Sequence, residues 1–413
     1  MIAHVAMESP PPQLSAGDPR RHNPHMTESD LSLPLALLGG LSPQTFMRRH
    51  WHKKPLLIRQ ALPGVASPLD RDALMALAAQ DGVESRLVRR VEGGGNAGWS
   101  MQSGPLAADA LPPWREPGWT LLVQGVDLHA DAAHALLQRF RFVPDARLDD
   151  LMISYATAGG GVGPHFDSYD VFLLQVQGRR RWQIGRTVDQ TLVEGVPLKI
   201  LQHFEAEEEW LLEPGDMLYL PPDWAHDGIA EGECITCSIG FRAASSGEFA
   251  REVLQRTLDG GDEGPAGARY RDPKQLATAA PGAIPEAMVD FAAAAVHELM
   301  ADRQALACAL GEWLSEPKAD VWFEPGETLV PGAGVRLDRR TRMLWDRWHV
   351  FINSESFVAA DEDAELMRRL ADQRQLTAGA VQRLSPEALA MLEDWADAGW
   401  VHACTEGDAA ADD

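Results

Sequence analysis

Nowhere does the sequence carry an apolar run near the roughly twenty residues that a membrane-spanning helix needs. The stretch 1–29, with Pro10-Pro11-Pro12 and Arg20-Arg21, also lacks the apolar centre of a secretory signal. It reads as a disordered leader, with Met7 or Met26 as alternative starts, and a cytoplasmic protein without membrane contact is expected. Cysteine is scarce: four in 413 residues, too few for a disulfide framework. Cys234 and Cys237 have the CxxC spacing of a zinc knuckle, but no second pair follows and their neighbours alternate as in a strand. A structural role is expected for both. Basic charge is short as well, 37 Lys and Arg against 61 Asp and Glu, for a net charge of −24. Such a surface repels nucleic-acid phosphates and favours a basic partner.

What is present is an ordinary globular composition, 45% apolar and 24% charged, in a chain long enough for two or three domains. Ser42-Pro43 is a helix start, an N-cap followed by proline, so a helix is expected over 44–51. Helical spacing also covers 70–79 and 130–140. From Leu151 to Phe241 the period drops to two. There 151–155, 171–176, 181–184, 217–220 and 234–241 read as short strands, punctuated by Gly159-Gly160-Gly161, Gly178, Pro214-Gly215-Asp216 and Pro221-Pro222. Short strands with glycine and proline turns and no helices between them describe a sandwich or barrel of jelly-roll type.

Beyond Ser245 helical spacing returns at 248–258 and, after a loop-rich interval at 260–281, at 285–300. Met288, Phe291, Ala295 and Leu299 share one face there, and Leu306, Leu310 and Trp313 continue the pattern. A break at 317–334 precedes a small unit with a strand or buried apolar segment at 343–351, helices at 361–373 and 386–399, and a terminal strand at 400–402. Helices and strands in so small a unit suggest a winged helix. The expected class is α+β: a jelly-roll domain at 30–245, a helical module at 246–318, a winged helix at 319–405 and an acidic tail at 406–413.

The chemistry concentrates in Gly163-Pro164-His165-Phe166-Asp167-Ser168-Tyr169. On a strand, residues two apart share a face, so His165, Asp167 and Tyr169 are expected to project together. An imidazole and a carboxylate on one face are two thirds of a 2-His-1-carboxylate triad, which suits non-haem Fe(II) because three coordination positions stay open. The third ligand must come from another strand. His226 follows the strand 217–220 and a Pro-rich turn, 59 residues beyond Asp167 (226 − 167), and is the candidate. His50, His52, His129, His203 and His349 lack such a context and are expected to be solvated or structural. The glycine run 159–163 lacks the GK[ST] ending of a phosphate loop and is expected to make a tight turn beside the metal. An oxygenase of this kind that uses 2-oxoglutarate also needs a cation for the distal carboxylate. Arg179, Arg180 and Arg181 are the candidates, and alternation puts Arg180 with Trp182 on one face and the other two on the opposite, exposed one.

These stretches together resemble the JmjC-type cupin oxygenases and, more closely, the bacterial ribosomal oxygenases. The motifs that carry the likeness are Trp51-His-Lys-Lys-Pro-Leu-Leu-Ile-Arg59, Asp150-Leu-Met-Ile-Ser154, the glycine run to His165, Tyr169-Asp-Val-Phe172 and Gly178-Arg-Arg-Arg-Trp182. They extend from about residue 30 onward. The resemblance implies an Fe(II)- and 2-oxoglutarate-dependent oxygenase that consumes O2 and releases succinate and CO2. Its implied reaction is hydroxylation of an arginine β-carbon in the sixteenth protein of the large ribosomal subunit, a basic partner. It further implies that His165, Asp167 and His226 hold the iron, and that Arg180 binds 2-oxoglutarate with help from Thr236 or Ser238. Asp150, Met152 and Tyr169 would hold the substrate arginine. Thr236 stands where the family more commonly has Asn. Residues 246–318 would form a dimerisation module, giving a homodimer.

Three other readings compete. The same scaffold serves histidine hydroxylation or lysine demethylation. A non-catalytic metal-binding cupin would form no succinate. A DNA-binding winged helix is disfavoured by nine basic against sixteen acidic residues over 331–413. The one basic cluster there, Arg336, Arg339, Arg340 and Arg342, is expected to serve protein contacts.

Overall fold

The computed structural model describes residues 27, 29–90, 98–259, 269–274, 276–277, 280 and 282–404. Nearly all of the expected leader, much of the 260–281 interval and the acidic tail lie outside the described residues. The N-terminal part opens with α1 (Pro43–Arg49), where the Ser42 hydroxyl accepts the Thr45 N–H at 3.2 Å and Pro43 fills the first position. It continues through β1 (Leu56–Ile58), α2 (Arg71–Ala78, capped by Asp70), β2 (Ser85–Arg90), β3 (Trp99–Ser103), β4 (Trp119–Val123) and α3 (Asp131–Gln138). Seven strands then follow without an intervening helix: β5 (Leu148–Ala156), β6 (Val171–Gln177), β7 (Arg180–Arg186), β8 (Glu208–Leu212), β9 (Met217–Leu220), β10 (Trp224–Ala230) and β11 (Cys234–Phe241).

Strand order makes this a jelly roll. One sheet runs β1-β9-β6-β11-β5-β4-β2-β3 and a shorter one runs β10-β7-β8. Alternation along the strands divides their side chains between two environments. Leu151, Ile153 and Tyr155 of β5 and Ile235, Cys237, Ile239 and Phe241 of β11 point outward, into a core shared with Phe46 of α1 and Phe140 after α3. On the inner face Val171, Leu173, Leu218 and Leu220 meet Trp182, Ile184 and Leu212 of the short sheet. The same inner face carries Asp150, Ser154, Gln175, Thr236 and Ser238, all buried. Buried polar groups cost free energy unless they are paired, so five of them on one wall mark the interior as a site rather than a simple core.

The sequence pattern misses some strands for identifiable reasons. All five residues of β4 are buried, so it has no alternation to read. Asp227-Gly228 looks like a turn but lies inside β10. Gly228 is the cross-strand partner of Trp182, and a Cβ there would stand 2.6 Å from the indole. Glycine is needed as the seat for that ring. Cys234 and Cys237 are free, buried residues of β11.

The C-terminal part holds α4 (Ser246–Asp259), α5 (Glu286–Leu299) and α6 (Arg303–Leu314), then the small unit. There β12 (Gly334–Leu337), β13 (Met343–Trp345), β14 (Val350–Ile352) and β15 (Glu355–Phe357) precede α7 (Asp361–Gln373). Next come β16 (Gln375–Leu376), α8 (Ala378–Val381), α9 (Pro386–Asp397) and β17 (Val401–Cys404). The apolar segment 343–351 is thus a hairpin, not one strand. Arginines fasten this unit to the jelly roll: Arg339 Nε donates to the Leu128 carbonyl at 2.8 Å and Arg342 Nη2 to that of Asp145 at 3.3 Å. In return Arg141 donates to the carbonyls of Ala371 and Asp372 at 2.9 and 2.7 Å. Burial pushes the Arg342 guanidinium down to about 10. Two members of the basic cluster are therefore spent on contacts within the chain. Among the described residues no helix is long and apolar enough to cross a membrane.

Candidate metal centre and cosubstrate pocket

His165 and Asp167 do not lie on a strand, contrary to the sequence expectation. Gly163, at φ +79°, turns the chain, and residues 161–170 cross between β5 and β6 as a loop. A single bridge restores strand-like geometry at the one position that matters. The His165 N–H donates to the His226 carbonyl at 3.0 Å, and the His226 N–H returns the bond at 2.7 Å. Directly opposed residues of an antiparallel pair present their side chains on the same side. The two imidazoles accordingly lie 4.2 Å apart, centroid to centroid. Pairing continues where the Asp223 N–H donates to the Asp167 carbonyl at 2.9 Å. His226 itself lies inside β10, the strand that follows the Pro-rich turn.

Ligand atoms of His165, Asp167 and His226 all fall within 4.8 Å of one another. His165 Nδ1 lies 2.9 Å from the Gly163 carbonyl, and His226 Nδ1 lies 3.0 Å from that of Trp224. A carbonyl only accepts, so each Nδ1 carries hydrogen and each Nε2 keeps its lone pair for a metal. Burial, then the neighbouring His165, pushes His226 down to about 4, so this imidazole is neutral as a ligand must be. The glycine run lets the loop press against two strands: a Cβ on Gly160 would stand 2.4 Å from the Trp119 carbonyl oxygen, and one on Gly161 2.6 Å from that of Gly228. Two nitrogens and one carboxylate are the donor set that non-haem Fe(II) takes, and the residues fit it.

Arg180 points inward with Trp182, and its guanidinium lies over the indole, 5.8 Å from the centroid. Arg179 and Arg181 point outward and pair with Glu231 and Glu209. One arm of Arg180, Nη1, donates to the Ser154 hydroxyl at 2.9 Å, while Nε and Nη2 are buried without a partner. Each orphaned donor costs about 1–3 kcal/mol, more for a charged group. A carboxylate of 2-oxoglutarate would satisfy both at once. Thr236 gives its hydroxyl hydrogen to Gln175 at 2.9 Å, and Ser238 sits two residues further along the same wall.

Asp150 and Met152 precede Ser154 on the inner face of β5. From Asp150 to Ser154 is four residues, or roughly 13 Å along a strand. Asp150 Oδ2 accepts the Gly125 N–H at 2.9 Å and lies 3.2 Å from the ammonium of Lys318. Tyr169 is 36% exposed, at the rim. Partial burial, then the carboxylates of Asp167 and Asp150, raises its phenol above the ordinary value, so it is a neutral hydrogen-bonding group.

Residues 135–249 match the model of a JmjC domain, and 298–402 match that of a ROXA-like winged helix. The chain is 36% identical over 287 residues to the ribosomal protein uL16 3-hydroxylase of Escherichia coli (strain K12), covering 68% of this chain and 74% of that one. The chain belongs to the ribosomal oxygenases. The X-ray structure of E. coli ycfD superposes on this ribosomal oxygenase with a TM-score of 0.78 at 31% identity, over 87% of this chain and 97% of that one. The structure of E. coli YcfD in complex with cobalt and 2-oxoglutarate gives 0.73 at 32%, over 88% and 98%. The α+β fold expected from the sequence, a JmjC jelly roll followed by helices and a winged helix, is the one found. With the family comes the class of chemistry: a 2-oxoglutarate-dependent oxygenase using Fe(II) and O2.

Several residues of this ribosomal oxygenase's site escaped the sequence reading. Ser154, which holds Arg180, shares a face with Asp150 and Met152, and strict alternation would have found it. Gln175 was legible in the same way on β6. Lys318 carries no local signal at all: it lies 168 positions from Asp150 (318 − 150) in a segment between folded units.

Proposed function

We propose that the protein hydroxylates the β-carbon of an arginine in the sixteenth protein of the large ribosomal subunit. The carrying observation is Asp150, a buried carboxylate on the same wall as the Arg180 pocket and one strand-length away from it. It stands four residues along β5 from Ser154, the residue that holds Arg180. His165, Asp167 and His226 would hold Fe(II), which with 2-oxoglutarate and O2 supplies the oxidation that turns C–H into C–OH and yields succinate and CO2. Everything else is the work of this chain. Arg180 takes the distal carboxylate through Nε and Nη2, with Ser154 holding its third arm, and Thr236 and Ser238 line the same wall. Trp182 and the leucines of the short sheet keep water away. Asp150 pairs with the guanidinium, Met152 packs its stem and Tyr169 covers it at the rim. A net charge of −24 favours approach of a basic ribosomal protein.

Mass spectrometry of a peptide from that ribosomal protein, incubated with enzyme, Fe(II), 2-oxoglutarate and air, tests this directly. A gain of one oxygen on an arginine is expected. The oxygen on a histidine, or loss of a methyl group from lysine, keeps the oxygenase and discards the substrate. No product and no succinate leaves a metal-binding cupin.

The helical module at 246–318 is proposed to join two copies. None of the residues of α5 is buried, yet Met288, Val289, Phe291 and Val296 lie on its surface. A 14-residue helix has little stability alone and needs a partner for such a face. Phe291→Glu should convert a dimer to a monomer in sedimentation; a wild-type monomer at micromolar concentration refutes the assignment.

A further inference from the structure

Behind Asp150 lies a compact set of buried and half-buried charges that the reaction itself does not need. Lys318, from the segment after α6, places its Nζ 3.2 Å from Asp150 Oδ2 and 3.1 Å from Asp149 Oδ1. Arg242 Nε lies 3.5 Å from the same Asp149 oxygen, and Arg342 faces it from β12's side of the interface. Asp127, on the turn after β4, accepts the Leu151 N–H at 2.8 Å and is raised to about 7 by burial and by Asp150. Tyr169 faces the group from the loop after β5. Burial alone works to lower Lys318, but Asp150 and Asp149 raise it, so it is a full cation.

We infer that Lys318 is a positioning residue: its ammonium, with the Gly125 N–H, holds the Asp150 carboxylate by Oδ2 so that the second oxygen, Oδ1, is left for the substrate's guanidinium. The inference rests on the reading of Asp150 as the partner of the substrate arginine. Lys318 and the Gly125 N–H both engage Oδ2, which fixes the plane of the carboxylate. On the other side Gly240 leaves space. A Cβ there would stand 3.6 Å from Oδ1 and 4.0 Å from the Tyr169 ring, so Oδ1 opens toward the tyrosine. Burial raises Asp150 above the usual carboxylate range and the ammonium of Lys318 opposes that rise, so without the lysine the carboxyl takes up a proton more readily. Protonated, Asp150 would exchange a charge-assisted pair with arginine for a weaker neutral contact. Of the cations nearby, Lys318 is the one paired with Asp150 in the described structure, whereas Arg242 is paired with Asp149. The segment between the helical module and the winged-helix strands thereby reaches the substrate corner of the jelly roll through one side chain.

The test measures KM and kcat for an arginine peptide of the ribosomal protein from about pH 6.5 to 9, in holoenzyme carrying Lys318→Gln, Lys318→Met, Lys318→Arg or Asp150→Asn. Two neutral variants guard against a folding failure in one, and thermal melts accompany each. For either neutral variant KM should rise about tenfold near neutral pH, the loss expected when a carboxylate's pKa passes about one unit above the pH. Losing the lysine raises the Asp150 pKa, so the deficit should shrink as pH climbs through it and the carboxylate ionises. Lys318→Arg should restore the wild-type profile, and the change should fall on KM rather than kcat. A KM offset that stays flat with pH overturns the inference, leaving Lys318 as a structural tether. A lower KM also overturns it, because the lysine would then be competing with the substrate. If Asp150→Asn raises KM while the neutral variants do nothing, the lysine inference fails and the substrate reading stands. If Asp150→Asn is silent, the substrate reading fails and takes the lysine with it.

Discussion

Replacing His226 by alanine should abolish hydroxylation, with product and succinate both falling more than about 1000-fold, since the metal carries the oxidation. The fold should survive. What joins His226 to the loop is its backbone, through the two bonds to His165, and alanine keeps both. The lost side chain is a buried imidazole whose one bond goes to a carbonyl of its own strand. A shift in Tm of a few degrees at most is therefore expected, well short of unfolding. Fe(II) or Mn(II) titration is the deciding measurement. Wild-type protein should bind one ion per chain and the variant should not. If the variant binds the ion as tightly, the triad is misassigned, whatever its activity. Asp167→Asn gives a graded control, because it keeps the oxygen but removes the charge that balances a dication.

How much of this was legible in the sequence depends on what kind of information each feature needs. HxD and a distal histidine are chemically distinctive in a sequence, and the structure does bring the three side chains together, but not by the shared strand face that alternation suggests. No strand carries His165 and Asp167; one reciprocal backbone pair with His226 does the aligning. Pairing between residues 61 positions apart (226 − 165) has no local signature. Alternation did predict which arginine turns inward, since β7 is half exposed and its period of two is intact. On β4 and β10 it failed, because one strand is buried on every side and the other contains a glycine demanded by Trp182. The helices after Ser245 were legible from spacing, with errors of a residue or two at their ends. Fastening of the winged helix by Arg339, Arg342 and Arg141 was readable only as a basic cluster, because its partners are backbone carbonyls and these have no sequence code.

Arg180→Met should separate cosubstrate binding from folding, because on the proposed reading the same side chain serves one and burdens the other. The wild-type guanidinium keeps two donors, Nε and Nη2, buried without a partner when 2-oxoglutarate is absent. Methionine fills similar space over the Trp182 ring and has no donors to leave stranded. Without cosubstrate the variant should melt at the same temperature as wild type or above it, despite losing the bond to Ser154. With 2-oxoglutarate the order reverses. A bidentate, charge-assisted contact in a buried site is worth about 3 kcal/mol, so KM for 2-oxoglutarate should rise by roughly 100-fold. The rise in Tm that wild type gains from 2-oxoglutarate should vanish in the variant at the same concentration. Arg180→Lys should fall between the two, as a point charge that cannot match the carboxylate plane. A variant whose KM for 2-oxoglutarate is unchanged would remove Arg180 from the pocket. A variant that fails to fold would show instead that the guanidinium is structural, its two free arms paired in solution by water rather than kept for a ligand.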